Sequence, residues 1–356
     1  MLDPKIQYVL QRGVAIPACP LALTTGRKLD EGRQRGLCRY YFAAGAGGLA
    51  VGVHTTQFAI RDPKVALYEP VLALAAEEFA RADRGRLEPL VRVAGVVGKT
   101  PQAVAEATLA RDLGYHAGLL SLAAMKTAGE DELLDHCRAV ADVIPLFGFY
   151  LQPAVGGRLL PYSFWRRFAE IKNVIAIKMA PFNRYQTIDV VRAVTEAGRR
   201  DVALYTGNDD NIVMDLVTPY HFPGPGIGRR IVPRRIVGGL LGQWAVWTKK
   251  AVELLESCQV ERARHDSLPA NMLRLNVWLT DANAAIFDAA NGFHGCIPGI
   301  HEILRRQGLL ENLVTLDERE TLGPGQLTEI DRVCRTYPHL NDDDFVAKHR
   351  DEWLRG

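Results

Sequence analysis

Two residues in this chain have the type and spacing for covalent carbonyl chemistry, Lys178 and Tyr150. Lys178 stands in NVIAIKMA (173–180), an otherwise apolar run of the length of one buried strand. A charged amine destabilises such a core unless it is paired or neutral. Period-two alternation puts Ile175, Ile177 and Met179 on one face and Val174, Ala176 and Lys178 on the other. With the bulky face turned to covering helices, Lys178 points into the enclosed side, and small Ala176 leaves it room. The same count over PLFGFYLQ (145–152) sends Phe147, Phe149 and Leu151 outward and Leu146, Gly148 and Tyr150 inward. Neighbouring strands lie about 4.8 Å apart, so the lysine and tyrosine tips are expected to converge over a hollow left by Gly148.

A neutral lysine amine attacks a ketone, expels water and leaves an iminium that draws electrons from the adjacent carbon–carbon bond. Bringing its pKa from about 10.4 to about 7 takes about 4–5 kcal/mol of bias against the cation, which burial can supply. The Tyr150 phenol then carries protons between amine, carbinol and leaving oxygen. Structural readings compete: a lysine that pairs with a carboxylate or reaches solvent along its stem, and a tyrosine that only packs.

Elements able to hold these residues recur along the chain. Strand-like runs occupy 14–21, 48–54, 89–97, 117–123, 144–152, 173–180, 202–207 and 235–242, with helical patterns between them. Leu133, Cys137, Val140 and Ile144 make one apolar helical stripe, and Phe164, Phe168 and Ile171 another. Eight strand–helix units in series predict a (β/α)₈ TIM barrel, and no G-x-G-x-x-G turn follows the first run to suggest an open dinucleotide-binding sheet. Residues 1–242 are read as the barrel strands and helices. Residues 243–356 are read as the eighth helix plus a C-terminal helical extension, with a last helix at Leu327–Tyr337 and a polar, frayed tail. The segment PYHFPGPGIGRRIVPRR (219–235) interrupts the pattern; it is expected on the barrel's N-terminal face, as a subunit contact or an anion site.

Composition narrows the function classes. Charged residues make up 24% of the 356 and the formal net charge is +2, without the basic stripe of a nucleic-acid binder. The six cysteines form no C-x-x-C pair, and the nine histidines show no H-x-H or H-E-x-x-H spacing, so neither a metal nor another cofactor is expected. No signal peptide and no membrane-length apolar run is visible, and a cytoplasmic location is expected.

The motifs around Lys178 and Tyr150 resemble those of the dihydrodipicolinate synthase / N-acetylneuraminate lyase family of class I, Schiff-base aldolases. YLQP is similar to that family's Y-N-x-P and carries its catalytic tyrosine onto Tyr150; AIKM is similar to G-I-K-D and carries its Schiff-base lysine onto Lys178. TGND resembles S-G-D-D and places Gly207 and Asn208 at the pocket rim. The resemblance covers roughly residues 10–310 and implies a barrel with a helical extension, a homo-oligomer (a tetramer), and a 2-oxo acid substrate such as pyruvate. The family's carboxylate-binding G-T-T-G-E falls on Val53-His54-Thr55-Thr56-Gln57, where His54, Thr55 and Thr56 are the binding candidates. The tyrosine of the synthases' P-Y-Y meets Ala123-Ala124-Met125, and their arginine after Y-N-x-P meets Val155, with Arg158 as a partial replacement.

The leading expectation is a Schiff-base lyase acting on a 2-oxo acid or keto-sugar acid through Lys178, by aldol cleavage or dehydration. Two alternatives stand: a catalytically degenerate barrel that binds a small carboxylic acid, and a phosphate-binding barrel using Gly238-Gly239.

Overall fold

The computed structural model describes residues 2–225, 230–264 and 267–355. Its strands are β1 (Ala15–Pro17), β2 (Gly48–Val51), β3 (Val91–Val96), β4 (Ala117–Leu120), β5 (Leu146–Leu151), β6 (Val174–Ala180), β7 (Ala203–Thr206), β8 (Tyr220–Pro223), β9 (Ile231–Arg234) and β10 (Gly238–Leu241). Eight of them pair in the order β1-β10-β7-β6-β5-β4-β3-β2. A parallel bridge between Ala18 and Ala50 joins the two ends of that order, where the Cys19 N–H donates to the Ala50 carbonyl at 2.8 Å. The result is a (β/α)₈ TIM barrel with a C-terminal helical extension, and each of the eight expected runs supplies one barrel strand. Both faces of every strand are covered, which is why these runs read as continuously apolar.

Two apolar clusters follow from that double cover. Val91, Val93, Phe147, Phe149, Ala176 and Tyr205 fill the barrel interior, while Leu146, Tyr150, Ile177 and Met179 pack outward against the helices. A register break shifts one of the expected faces: Leu146 pairs with Val174 but Phe147 with Ala176, so Ile175 is an extra residue in β6. Val174 therefore joins the outer cluster and Ile175 the inner one, the reverse of simple alternation. Downstream of this bulge Ala176 and Lys178 face inward, as the alternation predicts.

A helix at Pro4–Arg12, which the sequence reading did not foresee, stops the N-terminal end of the barrel. Asp3 caps it by accepting from the Lys5 N–H, proline occupies its first position, and Gly13 ends it at φ 88°. Its Ile6, Val9 and Leu10 enter the inner cluster. The Tyr205 hydroxyl ties it down, donating to the Leu10 carbonyl at 2.9 Å.

The helix Thr248–Arg264 completes the outer ring, and Ala270–Ile286, Cys296–Arg306 and Gln326–Thr336 follow it. The expected frayed tail is instead a helix, Asp343–Leu354. Val346 and Trp353 are buried, the Trp353 carbonyl accepts from Arg39, and Gly36 leaves the space into which Leu354 fits. Two buried apolar positions seven apart, on one face of the helix, explain the ordering that a count of charges missed. Between β7 and β10, the anomalous 219–235 segment forms a hairpin of β8 and β9, with Arg234 donating to the Arg200 and Val202 carbonyls. Residues 226–229 of that segment lie outside the described residues. Among the described residues, no helix is long and apolar enough to cross a membrane.

Candidate active site

Lys178, followed on its strand's inward face by Ala180, lies in a cleft of about 620 Å³, open mouth included, at the C-terminal end of the barrel. It is 9% exposed, and its Nζ lies 4.6 Å from the centre of the Phe149 ring. Gly207 is what allows the side chain to lie there: a Cβ at that position would come within 2.6 Å of Lys178 Cε and 2.8 Å of Ala180 Cβ. Burial lowers the lysine's pKa to about 8, with Asp209 and Cys296 pulling it back upward. Across the cleft, burial raises Asp209 to about 7 against the pull of Lys178, and its Oδ1 accepts from the Gln243 N–H at 3.1 Å. Burial and the nearby lysine together hold His54 near 4, so its imidazole is neutral at pH 7. An amine of depressed pKa and a carboxyl of raised pKa thus line one cleft, each shifted by burial and each pulled back by the other's charge.

The expected partner of the lysine is elsewhere. Tyr150 pairs with Met179, not Lys178, and faces the helical ring, where its ring lies 5.3 Å from Trp165. Its hydroxyl accepts from the Leu160 N–H at 3.2 Å. Phe149 holds the inward position beside Lys178 instead. Gly148 likewise opens no hollow in the barrel; a Cβ there would meet Phe168 Cε1 at 2.7 Å, on the outside. Leu146 turns out and Phe147 and Leu151 turn in, so the whole of β5 is reversed relative to expectation.

The other predicted residues divide. His54, Thr55 and Gly207 line the cleft. Thr56 does not; its hydroxyl donates to the Cys19 carbonyl at 2.7 Å and accepts from the Gly52 and Val53 N–H groups, clasping the turn after β2. Asn208 is likewise a buried bridge, accepting from the Phe182 N–H and donating to Thr187 and Asp215. Arg158 donates to the Met125 and Ala128 carbonyls and ties the loop after β4, away from the cleft. Gly238 and Gly239 are filled by packing: Cβ atoms there would meet the Val14 carbonyl at 2.6 Å and the Trp244 ring at 2.7 Å.

Sequence reasoning missed Asp209, Phe149, Phe182, Phe287, Phe293 and Cys296, all of which line the cleft. Asp209 was within reach, because Ala203, Tyr205 and Gly207 share its parity and the first two belong to the inner cluster. The last three come from the extension and carry no local signal. Among the described residues, no three His, Cys, Asp or Glu side chains are grouped as metal ligands.

No protein-family model matches the chain. Over 191 residues it is 29% identical to the 4-hydroxy-tetrahydrodipicolinate synthase of Acaryochloris marina, covering 50% of this chain and 62% of that protein. Over 147 residues it is 29% identical to the same-named protein of Cyanothece sp., covering 40% and 46%. The matches thus span less than two thirds of these curated relatives. Among solved structures, the dihydrodipicolinate synthase from Aquifex aeolicus superposes with a TM-score of 0.71 at 17% identity, over 92% of this chain and 98% of the other. The N-acetylneuraminate lyase from Fusobacterium nucleatum gives 0.69 at 15%, over 92% and 99%. The dihydrodipicolinate synthase from Acinetobacter baumannii, complexed with pyruvate, gives 0.70 at 18%, over 91% and 98%. The relatives found by sequence and by structure are members of the dihydrodipicolinate synthase / N-acetylneuraminate lyase family, from which this chain is divergent at this level of identity.

Proposed function

We propose that this chain is a Schiff-base-forming lyase of the class I aldolase type, acting on a 2-oxo acid or keto-sugar acid through Lys178. The observation that carries this reading is a lysine held at a pKa of about 8 by burial in the cleft at the catalytic end of a (β/α)₈ barrel. The pyruvate bound to the Acinetobacter synthase supports a 2-oxo acid as its partner. In the cleavage direction, the amine attacks the C2 carbonyl of a 4-hydroxy-2-oxo acid and water leaves. The C3–C4 bond then breaks, its electron pair moving to the iminium to give an enamine, while the C4 hydroxyl loses its proton and becomes an aldehyde. Protonation at C3 and hydrolysis release pyruvate and free the amine.

Asp209 is our candidate for the proton carrier, since its carboxyl lines the same cleft and titrates near neutrality. Neutral His54 is a candidate for holding the carboxylate, and Thr55 is one only if its hydroxyl exchanges the Cys19 carbonyl, to which it donates at 3.2 Å, for the substrate. Dehydration proceeds through the same iminium. The proposed enzyme is homo-oligomeric and cytoplasmic and works without a cofactor.

The outward turn of Tyr150 favours one second reading, a barrel that still binds a 2-oxo acid but turns it over poorly. Incubation with a panel of 2-oxo acids, reduction with borohydride and digestion separates the two. Mass added at residue 178 together with turnover supports the lyase, and capture without turnover supports the degenerate barrel. Absence of capture by every acid, with Lys178→Ala indistinguishable from the wild type, sinks both.

A further inference from the structure

We propose that the substrate's far end is an apolar group the size of an aryl ring, and that the cleft discriminates against the hydroxylated chain of a sugar acid. This inference rests on the Schiff-base reading above and narrows its substrate class. The lysine fixes the position of C2, and the polar groups around it follow strand ends: His54 and Thr55 after β2, Asp209 after β7. With the Thr55 hydroxyl already donating to the Cys19 carbonyl, they match little more than a carboxylate and one hydroxyl. Past them the walls are Phe182, Phe287 and Phe293, with Leu151 and Val155. A polyhydroxylated chain entering there loses its water and meets one side-chain amide, that of Gln152, too few partners for three hydroxyls, whereas an apolar ring is favoured by the same walls.

The backbone at the mouth adds an independent observation. Phe182, in the loop after β6, sits at φ 51°, and Phe293, in the extension, at φ 69°. Aromatic residues seldom adopt the left-handed region, and strain held in place by the surroundings gathers at functional sites. Here both positions are held. The Asn208 Oδ1 accepts from the Phe182 N–H at 3.1 Å, and the Asp288 carbonyl accepts from the Phe293 N–H at 3.0 Å. The outcome is an edge-to-face pair, centroids 5.6 Å apart at 77°, built from two distant segments directly over the cleft. Both rings are half-buried, leaving apolar surface for a third ring to cover.

The test uses the full chain and three acids: pyruvate, 2-oxo-4-phenylbutanoate and 4,5,6-trihydroxy-2-oxohexanoate. Each forms an iminium on Lys178 with loss of water, and hydride from cyanoborohydride adds to C2 to leave a stable secondary amine. The measurement is the concentration of each acid giving half-maximal labelling of residue 178. Burial of the phenyl ring is expected to lower that concentration about tenfold or more relative to pyruvate, with the trihydroxy acid needing more than pyruvate. Phe293→Gly and Phe182→Gly remove a ring and relieve the backbone at once. In either variant the preference for phenyl over methyl is expected to fall to within about threefold. The inference is overturned if the trihydroxy acid labels at lower concentration than the phenyl acid, or if both glycine variants keep the full preference. Labelling by pyruvate with either of those results leaves the Schiff-base reading standing; labelling by none of the three removes both. The wild-type ranking decides the matter even where a variant does not fold.

Discussion

Replacing Asp209 by Asn offers the most direct examination of the amine. With a pKa of about 8, roughly one Lys178 in eleven is neutral at pH 7; at the ordinary value of 10.5 it is about one in three thousand. Burial therefore raises the population of nucleophile by about 300-fold, equivalent to about 3 kcal/mol. Asp209 works against that gain, because its carboxylate favours the ammonium form. Removing the negative charge while keeping the side chain's shape should lower the lysine's pKa further, by about one unit for charges sharing a cleft. The assay is the rate of cyanoborohydride capture of excess pyruvate from pH 6 to 10, normalised to a solvated lysine peptide to remove the reductant's own pH dependence. The wild-type rate should rise through an inflection near 8, and the Asp209→Asn rate through one below it. A wild-type inflection near 10 shows a hydrated amine, and an upward shift in the variant shows that the two groups do not share a field. Either result refutes the argument.

Lys178→Met should stabilise the fold at pH 7. Below pH 8 the folded state carries the ammonium at a cost that fades as pH rises from 8 towards 10.5, so the gain should be about 1–3 kcal/mol at pH 7 and shrink by pH 10, measured by urea unfolding. It stays under the full shift because Asp209 loses its counter-charge. Gly207→Ala forces the lysine stem aside and should abolish capture at residue 178 while costing about 1–3 kcal/mol of stability; capture at the wild-type rate contradicts the packing described. Tyr150→Phe removes the acceptor for the Leu160 N–H and should cost about 1 kcal/mol, with capture within about twofold of wild type; a loss of orders of magnitude would bring the phenol back into the chemistry.

The barrel was legible because its strands are short apolar runs separated by amphipathic helices at a steady interval. Lys178 was legible because a single charge in such a run marks a face by itself. Tyr150 was misread for the converse reason. Both sides of β5 are apolar and both are buried, so alternation there has a period but no sign. Tyr150 carries the one polar tip on the strand and Gly148 shares its face, yet neither fixes which face is inward. The packing of Phe168 against Gly148 decides the strand's orientation, and that contact spans twenty residues of sequence. The Ile175 bulge was hidden in the same way, since it exchanges one apolar residue for another. Phe287 and Phe293 reach the cleft only through the docking of the extension, which no strand–helix count describes. The tail was misjudged because Val346 and Trp353 are two apolar positions in a strongly charged stretch, enough to anchor a helix against a waiting surface.

The plug formed by the helix Pro4–Arg12 sets the order of events above it. With the base stoppered, the cleft opens past the Phe182–Phe293 pair, and whatever is tethered to the lysine lies behind what stands in front. If the chain cleaves its ligand in two, the untethered fragment departs first and the piece fastened to the lysine last, so the rear fragment alone, supplied in excess, should be captured at residue 178 of the free enzyme.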